Sequence, residues 1–241
     1  NIRMDDFRII EDEERRNPWI GNAKANIKWN FWNRYRDYLQ IESNFSNAVL
    51  NQIDSLTDRI LDGLFNPTKN INVTKKGLVV GQVQSGKTSN YTGLICKAAD
   101  AGYKLIIVLA GTHNNLRSQT QLRLDEGFLG FDTQHQRAYN ENGVVIGVGN
   151  INQKGVAHSL TSSLDGGDFV TRAADTMGGF SFNTAEPIIA VVKKNSKVLE
   201  RLHTWLSAKA ESLPDGTKKI RSKSLLLIDD EADNASINTN K

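Results

Sequence analysis

Between residues 27 and 64 apolar side chains recur every third or fourth position, the period of one helix face. In IKWNFWNRYRDYLQ the residues on that face are Trp29, Trp32, Arg36 and Leu39. In the next stretch they are Val49, Ile53, Leu56, Ile60 and Leu64, with Gly63 and Pro67 ending the run. The two stretches predict a helical hairpin with its tryptophans used for packing, preceded by a polar, irregular segment over residues 1–20. From residue 77 the pattern becomes alternating strand and helix, the signature of a parallel α/β sheet. Strands are predicted at Leu78–Val80, at KLIIVLA (104–110), at VVIGV (144–148), at PIIAVV (187–192) and at a fully buried SLLLIDD run. Helices are predicted over Lys87–Ala101, stopped by Gly102, over NNLRSQTQLRLDEG, closed by Gly127, and over SKVLERLHTWLSAKAE. PDGTKK reads as a turn. Residues 150–186, rich in Gly, Asn, Ser, Thr and Asp, read as an insertion or mobile loop. The expected division is a helical extension over 1–70 and an α/β domain over 71–241.

Composition narrows the class without choosing a function. With 39% apolar and 24% charged residues, the chain has the make-up of a soluble globular protein. No apolar run approaches the roughly 20 residues of a membrane helix, so no membrane partner is expected. The single cysteine, Cys96, cannot form an internal disulfide and reads as a packed thiol, consistent with a cytoplasmic location. Position 1 is Asn, not an initiator Met, so the chain reads as a piece of a longer protein. The net charge of +3 is too small to argue nucleic-acid binding. Its distribution says more: residues 193–223 hold nine Lys/Arg against three Asp/Glu, a local +6. Lys193 and Lys194, at the start of that segment, are candidate contacts to a phosphate backbone.

The chemistry concentrates in two places. GQVQSGKT satisfies G-x-x-x-x-G-K-[ST] from Gly81 to Thr88, with a strand predicted before it and a helix after it. Backbone N–H groups from Gln84, Ser85 and Gly86 to Thr88 can wrap an anion at a helix N-terminus. Lys87 can bridge the β- and γ-phosphates of ATP, and Thr88 can offer its hydroxyl to Mg²⁺. The second place is LLLIDDEAD, an apolar strand running into carboxylates at the edge where open α/β sheets bind ligands. Asp230 is assigned to Mg²⁺ and Glu231 to polarising the attacking water, with Asp229 as the metal alternative one register along. The four histidines are scattered, and no Cys/His spacing suggests zinc.

With the glycine loop, DEAD at Asp230–Asp233 resembles motifs II and I of superfamily-two helicases and translocases. LAGTHNNLRSQ resembles their motif Ia, with Gly111 where a proline is usual and Leu116 displaced by one residue. That resemblance implies Thr112, Arg117 and Gln119 as contacts to a nucleic-acid backbone. Longer blocks are similar to the N-terminal region of the Z-one-domain proteins: WNRYRDYL, GLVVGQVQSGKT through LDEGFLG, LTSSLDGGDF, VVKKNSKVLERLHTWL and LLLIDDEADNASINT. These are large bacterial proteins described as endonucleases with a DEAD-like ATPase core, found near restriction and phage-defence genes. The resemblance implies a RecA-like P-loop NTPase domain with a mostly parallel sheet, preceded by the helical hairpin. It also implies a second RecA-like lobe and the Z-one domain as partners beyond residue 241, and other defence proteins as further partners.

The resulting expectation is an ATP- and Mg²⁺-dependent NTPase directed by nucleic acid, DNA above RNA. The alternative is an NTP-dependent regulatory or assembly module acting on protein partners. Nuclease chemistry within these residues is not expected, because no cluster of acids with a lysine suits it.

Overall fold

The computed structural model describes residues 7–10, 18–69, 73–81, 86–175, 182–214, 216–220 and 223–230. The chain divides into two units, Asn1–Gly102 and Tyr103–Lys241. The first is mainly helical: α1 (Ile20–Ala23) and one 3-10 turn lead into α2 (Asn30–Ile41) and α3 (Asn47–Gly63), and α4 (Lys87–Ala101) closes the unit. In α2 the buried residues are Phe31, Trp32, Arg34, Tyr35 and Leu39. Trp32 and Leu39 therefore point inward as predicted, while Trp29 precedes the helix. Ser46 opens α3 by accepting the Val49 N–H at 3.4 Å, and the helix buries Leu50, Ile53, Leu56, Thr57 and Leu61. Val49, Ile60 and Leu64 sit half-buried at the margin of that face.

α4 packs on both α2 and α3. The crossing depends on Gly93, where a Cβ would lie 3.2 Å from Trp32 and 3.3 Å from Ile53. Ion pairs reinforce the packing. Lys97, fully buried, places Nζ 2.5 Å from the carboxylates of both Asp54 and Asp58, and 4.7 Å from the centre of the Trp32 ring. Lys24 reaches the same Asp58 at 2.5 Å, so two lysines balance two aspartates. Lys97 cannot be desolvated alone, since a buried charge without partners is costly. Asp100, on the last turn of α4, accepts the N–H groups of Phe31 and Trp32 at 3.0 and 2.9 Å, capping α2 from a neighbouring helix. α4 then ends as the sequence predicts, at a left-handed Gly102 (φ 114°).

Two readings of the first unit change. Within residues 1–20, Phe7–Ile10 forms a strand, β1, not irregular chain. It pairs antiparallel with β2 (Leu78–Gly81), from Phe7 opposite Gly81 to Ile10 opposite Leu78. Consequently β2, expected in the parallel sheet, belongs to a two-stranded antiparallel sheet. A strand's backbone groups require partners, and FRII, with β-branched and aromatic residues, supplies them.

The second unit is α/β. Its sheet contains β3 (Leu105–Ala110), β4 (His158–Ser159), β5 (Ile188–Val192) and β8 (Leu225–Asp230), all parallel, in the order β4-β5-β3-β8. β6 (Glu211–Ser212) and β7 (Lys218–Lys219) form a separate hairpin where a turn was predicted. Leu105 lies opposite both Ile188 and Leu225, so residues 105, 107 and 109 share a face with 188, 190 and 192 and with 225, 227 and 229. On that face Leu105, Ile107, Ile188, Ala190 and Val192 meet Val198, Leu202 and Trp205 of α8 (Ser196–Ala208). The preceding short helix, α7 (Thr171–Asp175), adds Ala174 to the same core. Asn195 caps α8 by accepting the N–H groups of Lys197 and Val198.

β8 is not the fully buried strand the apolar run suggested. Among the described residues it is an edge strand of this sheet, with Leu226 5% exposed but Leu225 44% and Leu227 54%. A single helix, roughly 10 Å across, covers about two strands spaced 4.8 Å apart. α8 covers β5 and β3 in that way. VVIGV is also not a strand: Val145 makes one isolated bridge to Phe131, and α6 (Val148–Ile151) begins within the run. Gly147 explains this, being held at φ 49° where a Cβ would meet the Glu126 carbonyl oxygen at 2.1 Å. α5 (Asn114–Leu124) continues as a π turn, Asp125–Leu129, and stops at Gly130 (φ 82°), not at Gly127. Within the predicted insertion, residues 157–163 are buried and β4 pairs with β5, so that part is packed core; residues 176–181 lie outside the described residues.

Candidate functional site

The first half of the expected site belongs to the first unit. Gly81 ends β2. Gln84 and Ser85 lie outside the described residues, as does the side chain of Lys87. Gly86 is the N-cap of α4 in the left-handed conformation (φ 72°, ψ 30°), and among the described residues no side chain caps the helix. A helix leaves its first N–H groups without intrahelical acceptors, and its dipole favours negative charge there. Thr88, the second residue of α4, is half-buried. Sequence reasoning missed Asn90, which is 4% exposed. Its backbone N–H and its side-chain Nδ2 both donate to the Gly86 carbonyl, at 3.1 and 3.2 Å, clamping the glycine to the first turn. The signal was present in the sequence as a polar residue four positions after the motif glycine. Cys96 is buried on the same helix, and burial pushes its thiol well above the ordinary range, as an inert packed thiol requires.

The second half lies at the C-terminal edge of the parallel sheet, within the second unit. Here β8 ends at Asp229 and Asp230, and Glu231 lies outside the described residues. Lys194, just past β5, donates its backbone N–H to the Gly111 carbonyl at 2.7 Å and brings Nζ to 2.6 Å from Asp229 Oδ1. Lys193 Nζ donates to Asn114 Oδ1 at 2.8 Å, at the start of α5. The geometry also accounts for a glycine at position 111. Its φ is +50°, outside proline's range, and a Cβ there would lie 2.8 Å from Leu116 Cδ1.

The residues expected on nucleic acid separate into two groups. Gln119 is exposed and Thr112 half-buried. Arg117 is 0% exposed, donating to the carbonyls of Ser162 at 2.8 Å and Leu164 at 2.6 Å, while Ser118 Oγ donates to the Ser163 carbonyl. Arg117 in this structure therefore anchors the 162–168 turn to α5 and presents no guanidinium to a strand of nucleic acid. Lys194, expected as a contact to a phosphate backbone, has a side chain 6% exposed and paired with Asp229.

No protein-family model, curated protein or solved structure matches the chain. Function is therefore argued from the residues themselves. Among the described residues no three His, Cys, Asp or Glu side chains converge as an all-protein metal cage. Mg²⁺ does not need one: it is usually held by one or two protein oxygens together with phosphate and water. A threonine hydroxyl and a strand-end carboxylate are donors of that hard kind, and the N-terminal N–H groups of α4 suit phosphate. In each unit taken by itself, the donors present are of the kind that Mg²⁺ and phosphate accept. A cavity of about 880 Å³ in the second unit, lined by Gln136, Arg137, Tyr139 and Ser162 among others, contains none of the expected site residues.

Proposed function

We propose that this chain is the nucleotide-hydrolysing part of an ATP- and Mg²⁺-dependent, nucleic-acid-directed protein of the helicase-like, Z-one-domain kind, acting in bacterial restriction or phage defence. The observation that carries the reading is the left-handed Gly86 at the start of a fifteen-residue helix, in frame with G-x-x-x-x-G-K-T. In this reading the backbone from Gly81 through Gln84, Ser85 and Gly86 cradles phosphate, and Lys87 offsets the charge that develops on the transferring phosphoryl group. Thr88 and Asp230 would hold Mg²⁺, which supplies charge neutralisation at the phosphates. Glu231 orients and polarises the attacking water.

Binding of a fluorescent ATP analogue tests this directly. Lys87→Ala is expected to weaken binding at least tenfold, since a hydrogen bond to a charged group contributes about 1.5–3 kcal/mol. Glu231→Gln is expected to bind normally and stop hydrolysis. Wild-type affinity in Lys87→Ala would sink the reading.

A second reading has its own support. With Arg117 buried, Lys194 paired with Asp229 and Lys193 bonded to Asn114, three of the five expected nucleic-acid contacts are already engaged inside the protein. That favours an NTP-dependent module assembling protein partners. ATP turnover measured with and without DNA separates the two: stimulation by DNA supports the first, and indifference to DNA the second.

A further inference from the structure

The cavity of about 880 Å³ in the second unit is walled by residues 133–142 together with Ser162, Leu164 and Ala173. α5 fixes part of that wall. Arg117 donates to the carbonyls of Ser162 and Leu164, and Thr133 gives its hydroxyl to Asp125 while accepting the Ser163 N–H at 2.9 Å. Other polar groups of the wall are left over. Gln136 Nε2 and Ser162 Oγ are buried and meet no hydrogen-bond partner among the described residues, Ser162 being 1% exposed. Arg137 is half-buried on the same cavity. Among the described residues it makes one long hydrogen bond, from Nη1 to the Leu160 carbonyl at 3.4 Å, and no ion pair. Burial lowers its pKa with no carboxylate to offset the effect, and Arg117 lies near enough for the two guanidinium groups to repel. The acid on the lining, Glu141, is exposed to solvent.

A half-buried cation without a counter-ion is costly, and so is each buried polar atom without a partner. Three such groups on one cavity point to a partner that enters from solution. We propose that this cavity is a second ligand site, for a small organic anion whose phosphate or carboxylate group pairs with the Arg137 guanidinium and is hydrogen-bonded by the Gln136 amide and the Ser162 hydroxyl. The guanidinium fork matches either oxyanion through two parallel N–H bonds. Small-molecule sites occupy roughly 300–1,000 Å³, so the cavity has room for a body behind the anionic group. Asn140 and Asn142, exposed on the lining, suit a hydroxylated body better than an apolar one. The site is independent of the Mg-nucleotide reading, none of whose residues line this cavity.

Phenylglyoxal, which modifies arginine side chains, reads the site at Arg137 itself. The full chain is treated in chloride, and at matched ionic strength in phosphate or in succinate, and each modified peptide is quantified by mass spectrometry. Arg137 is expected to react in chloride and to be slowed at least fivefold by phosphate, by succinate or by both, while exposed Arg201 keeps its rate. Protection by phosphate alone assigns a phosphate ester, and protection by succinate alone a carboxylic acid. Ser162→Ala and Gln136→Leu should each raise the anion concentration needed for half-protection at least threefold. The wild-type measurement stands alone if either variant does not fold. In Lys87→Ala, which disables the glycine loop, phosphate should protect Arg137 as it does in wild type. An Arg137 that is inert in chloride, or equally reactive in all three buffers, would overturn the proposal. So would undiminished protection in both cavity variants, or protection by phosphate alone that vanishes in Lys87→Ala, since the anion would then sit at the glycine loop.

Discussion

A carboxyl group surrounded by donors can still resist ionisation when water is excluded. Asp125, fully buried, accepts the Gln121 amide at 2.9 Å, the Thr133 N–H at 3.2 Å and the Thr133 hydroxyl at 2.5 Å. Burial outweighs these bonds and pushes its pKa from 3.8 up to about 7. Asp100 is raised to about 7 by the same cause against its bonds to α2. The sign follows from proton counts. Between about pH 4 and pH 7 the folded chain keeps protons that the unfolded chain has lost, so stability falls as pH rises through that window. Asp54, whose pKa is lowered once its ion pairs to Lys97 and Lys24 outweigh its burial, loses its contribution only below about pH 4 and does not oppose the trend. The urea midpoint is expected to be higher at pH 5.5 than at pH 8, with Asp125→Asn showing a shallower fall. A midpoint that rises with pH and ignores Asp125→Asn would refute this. None of these groups stood out in the sequence. Asp125, Lys97 and Asn90 owe their roles to neighbours that folding brings in, whereas the helix start at Gly86 was legible because its signal is contiguous.

Among elements, α4 was read to the residue and β8 was not, and the reason is the range of the forces involved. α4 begins at a motif glycine and ends at Gly102, and both signals are local. That an apolar Leu225–Ile228 run would sit at a sheet edge depended on the strand order β4-β5-β3-β8 and on how far α8 reaches. Gly147 misled in the same way, since its close approach to Glu126 is tertiary. The packing of α4 on α2 and α3 yields its own prediction. At Gly93 an added Cβ already meets Trp32 and Ile53 at 3.2 and 3.3 Å, so Gly93→Val must move both helices. Overpacking of that kind costs about 1–3 kcal/mol, visible as a lower denaturation midpoint. Gly93→Ala should cost less, because alanine regains about 1 kcal/mol of helix propensity. If Gly93→Val melts with wild type, the helices do not cross there.

For the molecule as a whole, the local excess of +6 between residues 193 and 223 can now be divided. Lys193 and Lys194 are engaged with Asn114 and Asp229, while Lys197, Arg201 and Lys218 are exposed. If the protein binds DNA, charge reversal at Lys197, Arg201 and Lys218 should flatten the salt dependence of affinity by about 0.9 for each phosphate that no longer meets a cation. Reversal at Lys193 should leave the slope unchanged, and fluorescence anisotropy across a salt series reads both. The opposite pattern would put the interface at the sheet edge. The order of the strands has a further consequence during synthesis. β3 lies between β5 and β8, but β8 is complete only at Asp230, about 120 residues after Ala110. At roughly 5–20 residues per second, the ribosome leaves one flank of that apolar strand unpaired for about 6–24 s. Until translation delivers LLLIDD, every nascent chain exposes a sticky edge to its neighbours, and a chaperone has reason to wait there.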